Sequence, residues 1–127
     1  MTELAGRESA RRIALGLGSL RAAAGVLFLT FPRTAAGRDP SSRMLARTIG
    51  IRDLVLGLGT VWASSRDDAM RLAWMRAGTT SDACDVSLAL GSRRDIGVVS
   101  AVGAAALAAP FVGIGVVHEL HSREARR

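Results

Sequence analysis

Six ionisable side chains lie inside runs that are otherwise apolar. Arg21 interrupts "IALGLGSLRAAAGVLFLTF". Arg52 and Asp53 stand side by side in "TIGIRDLVLGLGTVWAS". Asp82 and Asp85 punctuate "LAWMRAGTTSDACDVSLAL", which also holds Arg76 near its start. Groups of this kind can pair to hold helices in register, relay protons between carboxylates, or bind a small polar ligand. A charge at the centre of a bilayer costs about 2.5–3.5 kcal/mol on insertion scales, so scattered unpaired charges would oppose insertion. Three arginines against three aspartates cancel, which favours pairing inside a bundle. The expected pairs are Arg21 with Asp82 and Arg52 with Asp85. Asp53 is the member expected to be short of a partner, and Arg76 lies near enough to the surface to snorkel to water.

Height along the helices supports this assignment. At about 1.5 Å per residue, counted inward from the side of the termini, Arg21 and Asp82 fall at roughly 12 and 15 Å. On the same scale Arg52 and Asp85 fall at roughly 22 and 20 Å. Asp53 is about 9 Å from the level of Arg21, within the stretch of a long arginine side chain.

Glycines surround these charges at helical spacing. Gly18, Arg21 and Gly25 fall at i, i+3, i+7, and Gly50, Asp53 and Gly57 repeat the pattern. Thr60 and Ser64 continue the second stripe. Gly78, Asp82, Asp85 and Ala89 form a third, at i, i+4, i+7, i+11. Residues so spaced share one helix face. Small residues let helices approach closely where packing, not the hydrophobic effect, drives association. Gly18, Gly25, Gly50, Gly57 and Gly78 are therefore the expected packing positions. The competing explanation is a glycine-rich composition and chance.

The elements that must carry these stripes are four apolar blocks, at about 13–31, 48–65, 72–90 and 96–117. A bilayer core takes about 20 apolar residues in a helix. The fourth block meets that without a charge, the first two nearly do, and the third falls short on hydropathy alone. Short arginine-rich links make neighbours antiparallel. The expected fold is thus all-α, a four-helix transmembrane up-down bundle in one domain, with a polar tail at 118–127. The longest link, Pro32–Arg47, holds two prolines and Gly37 and reads as loop. Eight arginines on the side of the termini against six on the other orient the termini to the cytoplasm, in the plasma membrane. "SARRIALGL" resembles a twin-arginine signal, but Arg21 and the poor cleavage site "TAAG" argue against one.

Other chemistries find little support. The chain has 127 residues, 49% of them apolar, and a net charge of +6 carried entirely by arginine. The arginines alternate with apolar runs and build no basic face, so no nucleic-acid partner is expected. Cys84 is the one cysteine, which excludes an internal disulfide and a cysteine-cluster metal site. It reads as a small buried apolar residue. His118 and His121 lie in the polar tail, so no Ser/His/Asp or Cys/His arrangement arises and neither metal nor cofactor is expected. "GLGS" and "GLGT" lack the third glycine of a dinucleotide loop.

From Ile13 to Val117 the chain resembles small four-helix membrane proteins of the DoxX-like kind. The resemblance rests on a first helix with an interior arginine and a closing "FP", on "RTIGIRDLVLGLG", and on "DACD". It implies a helical membrane bundle and brings no catalytic residues. Some such relatives are tied to redox complexes, whereas this chain lacks the cysteine or histidine ligands for a direct redox role. Three readings stay open: a structural or partner-binding membrane component, a proton-coupled carrier or binder using its aspartates, and a soluble alanine-rich helical domain. The partners expected are the lipid bilayer and either a second copy or another membrane protein.

Overall fold

Two prolines and three aspartates set where the helices begin. Proline has no N–H to lose at the first helical position, where its fixed φ is already helical. Pro32 and Pro40 both stand there. The computed structural model describes residues 2–91, and their elements are all helices: α1 Thr2–Thr30, α2 Pro32–Ala36, α3 Pro40–Ser64 and α4 Asp68–Gly91. Gly37, at φ 72°, ends α2, a backbone angle that favours glycine. Asp39 then caps α3: its Oδ2 accepts from the Ser42 N–H at 2.7 Å. This bond, with a smaller contribution from the Arg43 charge, holds the Asp39 carboxyl below its ordinary pKa. Asp67 repeats the motif before α4, accepting from the Met70 N–H at 2.7 Å, and Asp68 pairs with Arg71 one turn on at 2.7 Å.

The expected Pro32–Arg47 loop is therefore corrected. Only 37–39 are irregular, and α3 starts eight residues before the apolar block it carries. Both prolines occupy N-terminal positions, where they start helices instead of breaking them.

The chain divides into two compact units, one of residues Met1–Trp74 and one beginning at Met75. In the first, α1 and α3 run antiparallel and pack along most of their length. Glycines stand at its closest points, with Phe28, Leu29 and Val61 beside them. The apolar residues buried among those described are Ala14, Ala46, Ala63, Leu72 and Met75, and no large side chain is fully enclosed. The large apolar side chains point outward instead: Leu20, Leu27, Ile51, Val55 and Leu58 are each more than half exposed.

Among the described residues, one helical segment, Gly6–Thr30, is long and apolar enough to cross a membrane. The charges set in α3 and α4 dilute the hydropathy of those helices. The expected spans at 13–31, 48–65 and 72–90 fall largely on α1, α3 and α4. The fourth, 96–117, and the tail with His118 and His121 lie outside the described residues.

Candidate functional site

Glycine pairing positions the site. A Cβ on Gly18 would sit 2.9 Å from the Gly57 carbonyl oxygen, and one on Gly57 would sit 2.6 Å from that of Gly18. Seven residues along, Gly25 and Gly50 are matched in the same reciprocal way, at 2.6 and 2.9 Å. Real Cβ atoms do not come this close, so α1 and α3 touch backbone to backbone at two points about 10 Å apart. All four of these expected packing glycines thus serve one antiparallel contact. Gly78 is buried on α4, in the second unit.

Arg21 and Asp53 lie between the two glycine pairs, one on each helix. Their side chains are 10% and 14% exposed, and Arg21 Nε stands 3.7 Å from Asp53 Oδ1. The same oxygen accepts from Arg52 Nε at 3.2 Å and Arg52 Nη2 at 3.0 Å. One carboxylate thus lies between two guanidiniums, in a shielded strip where charge interactions are stronger than in water. The expectation that Asp53 would be short of a partner is overturned. Arg52 lies about 100° round the helix, but its side chain is long enough to fold back onto the adjacent carboxylate.

Hydroxyls along these helices are satisfied locally. Thr60 donates to the Leu56 carbonyl at 2.8 Å and Ser64 to that of Thr60 at 2.7 Å. Thr79 does the same to Met75 at 3.0 Å. Such back-bonding to the preceding turn leaves a hydroxyl with no need of water.

In the second unit, Asp82 is buried at 3% exposure and Asp85 is half-buried. With buried Gly78 they mark the stripe expected from their spacing. Cys84 is exposed, which corrects its assignment to the interior: two residues past Asp82, it lies about 200° round the helix from that stripe. Among the described residues no group of three or more His, Cys, Asp and Glu gathers as a metal site.

Sequence reasoning missed a second close contact of α3. A Cβ on Gly59 would run into the Trp74 ring. Gly57 and Gly59, two residues apart, face opposite ways, so "GLG" serves a neighbour on each side of α3. The G-x-G spacing was visible, but its meaning depends on which helix arrives at each face. Comparison with family models, with curated proteins and with solved structures finds no match to this chain.

Proposed function

We propose that this protein is a small polytopic membrane component without catalytic chemistry. Its buried Arg21–Asp53–Arg52 cluster fixes how α1 and α3 pair, so that the bundle can present its outer face to lipid and to a partner. The observation that carries this reading is the inverted distribution of side chains. Arg21, Asp53, Thr60, Ser64 and the paired glycines hold shielded positions on α1 and α3, with Phe28, Leu29 and Val61 half-buried beside them, while Leu20, Leu27, Ile51, Val55 and Leu58 are more than half exposed. In water that outer face would cost burial free energy on the order of 25 cal/mol per Å² of apolar surface left wet. In hydrocarbon the cost vanishes, and close glycine packing with internally bonded hydroxyls is the ordinary means of association. The extended contact of α1 with α3 also favours α1 as a lasting part of the bundle over a cleaved signal. The DoxX-like resemblance points the same way, with a four-span bundle as its finer form and a plasma-membrane location with cytoplasmic termini.

Fractionation of cells expressing the full chain tests this directly. The protein is expected in the membrane pellet after alkaline carbonate washing. Recovery in the soluble fraction without detergent would overturn the reading and favour the soluble helical domain. The carrier alternative is separated by reconstitution into liposomes: it requires a pH-dependent flux that Asp53→Asn abolishes, whereas the structural role predicts no flux in either form.

A further inference from the structure

The segment Pro32–Arg47 carries four arginines against one acid, Asp39. That acid is already engaged with the Ser42 N–H. Between the end of α1, α2 and the start of α3 lies a partly open cleft of about 710 Å³. Arg33, Arg43 and Arg47 line it, with the hydroxyl residues Thr30 and Thr34, and no acidic side chain does. Arg43 is half-buried, and its Nε–H is shielded from solvent with no hydrogen-bond acceptor among the described residues. A shielded guanidinium donor without an acceptor costs free energy unless something supplies one. Three arginines lining a space of small-molecule size, Arg43 half-buried and Arg33 and Arg47 exposed, offer donors of the planar kind that matches phosphate oxygens. Met44 adds an apolar wall.

We propose that this cleft binds a phosphate-bearing anion, with Arg43 as the central donor and Arg33 and Arg47 closing round it. Two sources offer that chemistry, an anionic phospholipid headgroup and free phosphate. The lipid source rests on the membrane reading above, because the cleft begins at Thr30, where the apolar stretch of α1 ends and headgroups would lie. The cleft itself does not depend on that reading.

The test titrates the purified full chain with dioctanoyl phosphatidylglycerol, dioctanoyl phosphatidylcholine and inorganic phosphate, following thermal stability. Phosphatidylglycerol is expected to stabilise the chain, and phosphatidylcholine, whose choline cation the arginines repel, to do so at least about tenfold more weakly. Arg43→Gln is expected to weaken binding about tenfold, the size of one charged hydrogen bond. Exposed Arg47→Gln should do likewise without disturbing the fold, and Arg38→Gln, outside the cleft, should bind as the native chain does. Inorganic phosphate binding as tightly as phosphatidylglycerol, and weakened by the same variants, supports the site with an aqueous ligand. Equal binding of the two lipids with no binding of inorganic phosphate, or undiminished binding by both cleft variants, overturns it. Should the chain prove soluble without detergent, the membrane reading falls and the phosphate titration still decides the cleft.

Discussion

The α1–α3 contact and the Pro32–Arg47 segment use the same residue in opposite ways. In the contact, Arg21 and Arg52 share the carboxylate of Asp53 and are largely shielded from solvent. In the segment, Arg33, Arg43 and Arg47 line a cleft that no acid shares. Arginine between two glycine pairs acts as a fastener, because close helix approach removes the water that would otherwise solvate it. Arginine at the helix ends keeps its unused donors, and these define a place for an anion. The type of residue is the same, and the local ratio of acid to base separates the two roles.

The strongest way to break this comparison is to remove the shared carboxylate. Asp53→Ala takes from two guanidiniums the carboxylate they share, and losing one partner of a buried pair costs about 3–5 kcal/mol. Unfolding in detergent should register that loss. The swap Arg21→Asp with Asp53→Arg should recover a substantial part of it. A swap no better than either single change would show that the two side chains do not act as a pair. Arg21→Ala should also cost more than Arg52→Ala, since the Arg52 side chain is 29% exposed against 10% for Arg21.

Overpacking the glycine contacts comes next. Gly57→Ala forces a methyl against the backbone of α1 and should cost about 1–3 kcal/mol. Gly16, on the same helix as Gly18 but with nothing within 4 Å of a Cβ, is the contrast. There alanine should be neutral or stabilising by up to about 1 kcal/mol, from helix propensity alone. Equal losses at the two positions would mean that backbone proximity is not what the glycines provide.

A smaller effect belongs to the start of α3. Asp39 has a depressed pKa in the folded chain. Its stabilisation is therefore present above the unfolded value, near 3.8, and is lost as pH falls through the lower folded value. Asp39→Ala should lower the melting temperature at neutral pH, and the gap to the native chain should close under strong acid. A gap that stays constant with pH would assign the effect to backbone preference instead of the cap. The smallest change is expected at the cationic end: Arg33→Gln and Arg38→Gln should each leave stability within about 0.5 kcal/mol in anion-free buffer.

Much of the α1–α3 contact was legible in the residues. The stripes Gly18–Arg21–Gly25 and Gly50–Asp53–Gly57 share one spacing and carry opposite charges, and they meet as matched pairs. The partner of Asp53 was misjudged because helix rise alone separated it from Arg21 and favoured other levels. Side-chain length overcame that offset once the glycines had brought the backbones together. The linker was misread for a different reason. Proline marks either a break or a beginning, and only the helices on each side decide which.

The sequence by itself determined the helical character and the small-residue face of α3 toward α1. These follow from local spacing and from the geometry of a single helix. Tertiary structure decided which arginines share Asp53, that Gly59 faces Trp74, and that Arg33, Arg43 and Arg47 line one cleft. Such choices depend on how close two backbones come and on which side chains fill the remaining space, and no periodicity along one strand of sequence encodes that distance.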